Sequence, residues 1–205
     1  MRRLAIETAA EACSVALFED GALVAHAHEL VGRGHAERLI PMIAELPDRG
    51  RADELLVDCG PGSFTGVRVG LAAARAFGFA WRAPVHGYSS LALIAALAFA
   101  EENDLDALTV AIIGGHGEYF AQRFERDGMR AITPLASLKP AEAAALCGAG
   151  PVAGSGAEAM RAAGATGRSV PAFPDARATL LLPLDLVTLP PRPIYGRAPD
   201  ARLPG

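Results

Sequence analysis

The first 28 residues hold three strand-like runs in quick succession: Leu4 to Glu7, Cys13 to Glu19 and Ala22 to His28, the last two joined by Asp20-Gly21 as a two-residue hairpin turn. Runs joined this closely can pair only antiparallel. The pattern then changes. Ala36 to Leu46 carries Leu39, Met42, Ile43 and Leu46 at helical spacing, with Pro41 placed to kink its first turns. Leu55 to Cys59 is a short apolar strand, and a long helix runs from about Thr65, the expected N-cap, to Trp81. Pro84 to Gly87 supplies another strand, and Ser89-Ser90 caps a helix through Leu91 to Glu101.

Three antiparallel strands followed by helix, strand, helix, strand, helix predict an α/β fold, a mixed sheet with helices packed on it. That is the layout of an actin-like, ribonuclease H-like (ASKHA) lobe. The second half is weaker in signal. Leu108 to Ile113 and Glu118 to Phe124 read as strands around the Gly114-Gly115-His116-Gly117 turn, Pro140 to Leu146 and Ser155 to Ala163 as helices, and the proline-rich tail from Pro183 as extended and poorly regular. The expected division is a first lobe over residues 1–100 and a smaller second lobe over 101–205. No internal repeat shows at a solenoid period.

With 205 residues, about half of them apolar, the chain can bury a sizeable core. A formal charge of -4 argues against gripping a phosphate backbone unaided, since nucleic-acid binding draws on clustered Lys and Arg. Any nucleic acid would be held through a partner. Cys13, Cys59 and Cys147 are odd in number and far apart, which fits neither a disulfide framework nor a zinc knuckle and points to a reduced compartment. Met1-Arg2-Arg3 leads straight into a strand without the apolar stretch of a secretory signal, and no apolar run reaches a bilayer span. The expectation is a cytoplasmic protein with no membrane contact.

The most specific segment is Gly60-Pro61-Gly62-Ser63-Phe64-Thr65-Gly66-Val67-Arg68, between a strand and a helix. Its glycines permit backbone angles closed to other residues, and Gly60, Pro61, Gly62, Ser63, Thr65 and Gly66 could present amides to an anion or nucleotide at a helix N-terminus. A tight turn without any ligand explains the same residues, and the lysine of a phosphate-binding P-loop is missing. Together with Ala5-Ile6-Glu7-Thr8, Glu11 to Leu17, Gly34 to Met42, Pro84 to Leu91 and Tyr195 to Ala201, the segment resembles the TsaB (YeaZ) family, densely only over residues 4–93.

The resemblance implies a non-catalytic scaffold that activates a TsaD-type transferase in making threonylcarbamoyladenosine beside the tRNA anticodon, with a TsaE-type ATPase docking across the junction. It implies no catalytic residue, and it leaves ATP or ADP at the subunit junction open. TsaD-like enzymes hold a metal with two histidines on the first helix; here only His35 stands there, and Leu39 falls where the second would be, so no metal site is expected. His26 and His28 share a strand face that reads as solvated. Glu7-Thr8-Ala9 departs from the family's usual Asp-Thr-Ser, and Ile113 to His116 departs from its usual Asp-Ala-Arg-Arg.

On the Gly66 to Trp81 helix, Val67, Gly70, Leu71, Ala74, Gly78 and Trp81 make one apolar face, and Val69, Ala73, Ala76 and Ala80 make a second. By resemblance this helix and the one before it pack against the equivalent pair in TsaD, or against a second copy in a homodimer. The interface residues so implied are His35, Arg38, Leu39, Met42, Val69, Ala73, Ala76 and Ala80. Two rivals stand beside this reading: an enzyme of the same fold, a small-molecule kinase or a peptidase, and a stand-alone nucleotide-binding regulatory module. Ser63 forms no nucleophile elbow, and Cys59 reads as an inert small hydrophobe.

Overall fold

The computed structural model describes residues 1–32 and 34–196. Strands β1 (Arg2–Glu7), β2 (Ala12–Glu19) and β3 (Ala22–Leu30) form the expected meander, and the chain then alternates through helix α1 (His35–Glu45), β4 (Glu54–Asp58), α2 (Phe64–Trp81), β5 (Val85–Tyr88) and α3 (Ser90–Glu101). The sheet order is β3-β2-β1-β4-β5, with β2 antiparallel to β1 and β3, and β4 parallel to β1 and β5. This is the mixed sheet of an ASKHA lobe. Alternation along β1 and β4 sends Leu4, Ile6, Leu55 and Val57 into a core shared with α1 and α2, while Ala5 and Leu56 face α3 on the other side.

The second half repeats that order with shorter outer strands. β6 (Ala107–Gly115) and β7 (Glu118–Glu125) pair antiparallel, and β8 (Arg130–Ala131) and β9 (Ala136–Leu138) both pair with β7. After α4 (Pro140–Cys147) comes β10 (Val152–Ala153), parallel to β6; after α5 (Ala157–Ala162) comes β11 (Ser169–Val170), parallel to β10. Helices α4 and α5 share an outer core with Ala111 and Val152. The tail holds the 3-10 segments Ala176–Leu181 and Leu184–Val187, and Leu189 bridges back to Gly87.

Between the two sheets lies α3. It is apolar all round, and nine of its residues are buried. One hydrophobic cluster joins Ala5, Phe18 and Leu56 of the first sheet, α3, Leu108, Val110 and Phe124 of the second, and Ala176, Leu182 and Val187 of the tail. A helix without a polar stripe needs cover on every side, and the second sheet with the tail completes it.

Local details differ from the sequence expectation. The N-cap of α2 is Ser63, whose Oγ accepts from Gly66 N at 3.2 Å, so Thr65 already lies inside the helix. Ser89 is the N-cap of α3 without a side-chain capping bond. Helix α1 runs unbroken through Pro41. The family-like segment at the end of the chain is described only as far as Gly196; its Arg197 to Ala201 portion lies outside the described residues.

Candidate functional site

The glycine-rich segment is built for close approach. A Cβ on Gly62 would run into the carbonyl of Ala9, one on Gly66 into the carbonyl of Thr8, and one on Gly70 into Thr8 Oγ1. The N-terminus of α2 therefore lies directly on the turn between β1 and β2. Hydrogen bonds fasten it there: Ser63 N donates to Ala9 O at 2.8 Å, and Thr8 Oγ1 donates to Gly66 O at 2.8 Å. Gly60 N is taken by Asp58 Oδ1 at 2.6 Å and Val67 N by Ser63 O at 2.9 Å, while Pro61 has no N–H. The amides of Gly60, Ser63, Gly66 and Val67 are thus already engaged and are not available to an anion.

Its outer side is open. Phe64 is exposed, the Arg68 guanidinium stands 3.2 Å from the centre of its ring, and Arg68 also donates to Tyr195 Oη at 3.0 Å. A cavity of about 110 Å³ lies beside them, walled by Gly62, Phe64 and Arg68 on one side and by Gly114, Phe120 and Ile194 on the other.

Under the loop sits a pair of carboxyls. Glu7 ends β1 and Asp58 ends β4, one step beyond the paired Ile6 and Val57, and both are fully buried. Glu7 Oε1 accepts from Ala9 N at 2.8 Å; Asp58 Oδ1 accepts from Gly60 N and, at 2.7 Å, from Ser90 Oγ. Burial pushes Glu7 well above the usual carboxylate range, and the neighbouring Asp58 pushes it further. Burial likewise pushes Asp58 up to about 7, against the pull of the Gly60 amide and the Ser90 hydroxyl.

The same sheet face carries Tyr88, whose Oη donates to Ile6 O at 2.8 Å, and Ser14, whose Oγ accepts from Ala176 N at 3.0 Å. No motif in the sequence marks Asp58 as part of a site, Tyr88 stands there only within a family-like segment, and Ser90 reads as a helix cap. One signal was there: a carboxylate inside the apolar run Leu55-Leu56-Val57-Asp58-Cys59 is rarely buried without a partner.

Glu7 is closed off from solvent and tied to the Ala9 amide, so it has no access to a phosphate group. Ser63 Oγ is occupied as a cap, and among the described residues no group of three or more His, Cys, Asp and Glu side chains is placed to hold a metal ion. Burial pushes the thiols of Cys13 and Cys59 up to about 12, which leaves them in the unreactive protonated form.

The outward face of α1 and α2 differs from the one read off the sequence. Leu39 and Met42 are 0% and 1% exposed inside the chain's own core, so a partner cannot reach them. They are apolar because they face the sheet. His35 is buried too, its Nε2 placed between the carbonyls of Ala10 at 2.9 Å and Ala12 at 3.2 Å. Arg38 is paired with Glu29 of β3 through a 2.8 Å hydrogen bond. Val69 and Ala73 are half-buried against the same core.

On α1 the outward residues are Ala36, Ile40, Pro41 and Ala44, flanked by the exposed Glu37 and Glu45; along the body of α2 they are Ala72, Ala76, Ala80 and Phe79, which is 89% exposed, beside the exposed Arg75. The two helices touch and cover one face of the sheet, so both stripes look away from it. His26 and His28 lie exposed on the edge strand β3.

A family model described as TsaD, tRNA N6-adenosine threonylcarbamoyltransferase, matches residues 27–175. The chain is 39% identical over 132 residues to the tRNA threonylcarbamoyladenosine biosynthesis protein TsaB of Escherichia coli (strain K12), covering 62% of this chain and 56% of that protein. YeaZ from Pseudomonas aeruginosa superposes with a TM-score of 0.77 at 27% identity, covering 95% of this chain and 99% of that one. The chain belongs to the TsaB (YeaZ) family. An uncharacterized protein of Mycobacterium tuberculosis (strain ATCC 25618 / H37Rv) is 35% identical over 157 residues, 71% of either chain. The match spans little more than half the length of the curated TsaB relatives. In fold the chain is ASKHA-like, as the strand order already indicated, and among the described residues no helix is long and apolar enough to cross a membrane.

Proposed function

We propose that this chain is a non-catalytic subunit in the synthesis of tRNA threonylcarbamoyladenosine, docking through the outward stripes of α1 and α2 onto a TsaD-type transferase. The observation that carries this reading is the exposed stripe itself. Ala72, Ala76 and Ala80 recur at one-turn spacing with Phe79 beside them, and Ala36, Ile40 and Ala44 do the same on α1. Small residues let helices approach closely, and a large exposed aromatic beside them is a suitable anchor. A second copy of the chain could occupy the same stripe when TsaD is absent. A TsaE-type ATPase joins the assembly by analogy with the family, and tRNA is reached through the complex, in the cytoplasm.

The non-catalytic part of the proposal is supported by the three positions where chemistry would be sought. Glu7 is sealed, Leu39 stands in the core where a second metal-binding histidine would be, and Ser63 is a helix cap. A nucleotide between this chain and its partner remains compatible with the open side of Phe64 and Arg68. The test is co-purification with the TsaD homologue of the same organism, followed by a tRNA modification assay with and without this chain. Expected are a stable heterodimer, modification that depends on both subunits, and loss of both with Phe79→Glu. Modification at the full rate without this chain would overturn the proposal, as would turnover of ATP or peptide by the chain alone that Glu7→Gln or Ser63→Ala abolishes.

A further inference from the structure

Glu7 and Asp58 each have one oxygen fully engaged and one left over. Glu7 Oε2 and Asp58 Oδ2 are buried with no hydrogen-bond donor, on side chains that end neighbouring parallel strands. The two carboxyls lie within side-chain hydrogen-bonding reach of one another, and two acceptors so placed cannot satisfy one another unless one of them carries a hydrogen. A single proton does this: the carboxyl that holds it becomes a donor to the other, and one of two like charges disappears.

The engaged oxygens show what depends on the pair. Through Ala9 N, Glu7 holds the turn between β1 and β2; through Gly60 N and Ser90 Oγ, Asp58 holds the loop before α2 and the first residue of α3. We propose that Glu7 and Asp58 act as a one-proton latch, whose shared hydrogen keeps the β1–β2 turn against the loop that leads into α2, and whose loss in mildly alkaline solution lets the two part.

The surroundings offer no substitute for that proton. Around the pair stand Cys13 on β2, Cys59 in the loop, Tyr88 on β5 and Ser90 on α3, and Asp175 from the tail is a further acid within electrostatic reach of Tyr88. Asp175 is itself satisfied by Arg177, through hydrogen bonds of 3.0 and 2.6 Å. His35 meets the same turn from α1, but it is spent on the carbonyls of Ala10 and Ala12. None of the groups that act on either carboxyl is a cation. Both carboxyls are raised above their unfolded values, so the closed state binds more protons than the open one. The closed state is therefore favoured at low pH and loses ground as pH rises through the neutral range, by up to roughly tenfold per pH unit for one proton.

Hydrogen exchange on the full chain between pH 6 and pH 9, corrected for intrinsic rates, reads this directly. Expected is an opening equilibrium at the Ala9, Gly60 and Ser63 amides that rises several-fold per unit over part of that range, while the Val110 amide in the second sheet stays flat. Glu7→Gln keeps an acceptor for Ala9 and supplies a permanent donor to Asp58, so it should abolish the slope and retain protection; Asp58→Asn should also flatten it. A flat response in the unmodified chain overturns the latch, and so does an undiminished slope in both variants. Should neither variant fold, carboxyl carbon-13 titration of the unmodified chain decides: one of the two carboxyls titrating above pH 6 supports the latch, and both titrating below pH 5 overturns it.

Discussion

The guanidinium of Arg126 stands 5.0 Å from the centre of the Phe99 ring while its Nη1 donates to the Phe99 carbonyl at 2.9 Å. Its Nε reaches Leu105 O at 2.7 Å, and its other nitrogen reaches Glu102 O. One side chain just past β7 thus gathers the Phe99 carbonyl at the C-terminal end of α3 with those of Glu102 and Leu105 just beyond it, and ties the central helix to the second sheet.

Arg126→Ala should therefore lower stability by about 2 to 3 kcal/mol, since hydrogen bonds to a charged donor are worth about 1.5 to 3 kcal/mol each in place and water can reach part of the site. Arg126→Lys should recover less than half of the loss, because an ammonium cannot spread its donors over three carbonyls in one plane. Urea unfolding at constant pH measures both.

Ala74 and Ala76 are two residues apart on α2 and have opposite environments, one with no exposure and the other facing outward. Ala74→Glu buries an unpartnered charge and should cost several kcal/mol, enough to unfold a domain whose whole stability is about 5 to 15 kcal/mol. Ala76→Glu should leave the melting curve within about 0.5 kcal/mol of the parent and abolish capture of a TsaD homologue. Circular dichroism and a pull-down separate the two effects.

Gly66→Ala sets helix propensity against space. Alanine favours a helix interior by about 1 kcal/mol over glycine, yet here its Cβ meets the Thr8 carbonyl, part of a backbone that cannot swing aside. A net loss of about 1 to 3 kcal/mol is expected. A gain in melting temperature would show that the loop does not rest on the β1–β2 turn.

Ser63→Ala removes the cap of α2 and should cost about 1 kcal/mol, leaving complex formation intact wherever the protein is folded. The same variant tests Ser63 as a nucleophile, because loss of the cap alone leaves any turnover by the folded protein unchanged, whereas loss of a nucleophile abolishes it.

The local plan could be read from the chain because it is written locally. Asp20-Gly21 makes a hairpin wherever it stands between two strand-like runs, and the alternation after Ala36 has a period that two or three turns suffice to reveal. Apolar residues on α1 were legible as a face, but not which side of the helix looked outward. Leu39 and Met42 read by resemblance as partner-facing, yet they are apolar for the sake of the sheet beneath them; spacing does pick out the exposed Ala76 and Ala80 on α2, but on α1 it passes over Ala36, Ile40 and Ala44.

The cap of α2 shifted from Thr65 to Ser63 because both are competent capping residues, and only the contact with Ala9 chooses between them. The repeated strand order of the second half was hidden for another reason. β8, β10 and β11 are two residues each, too short to carry a pattern of alternation. The Glu7–Asp58 pair joins residues 51 positions apart, so no spacing rule could have produced it.

The central position of α3 also bears on how the protein is made. The first sheet is complete in the nascent chain once Tyr88 has been added, but a helix with no polar side follows at once, and its remaining cover comes from residues as late as Val187. Leu108 to Phe124 cover part of its other side soon after, but the rest stays open until Ala176, Leu182 and Val187 arrive. The interval between those two moments is the period in which a ribosome-associated chaperone has most to protect, and a stop codon anywhere within it would yield a fragment with a sticky flank rather than a usable half-protein.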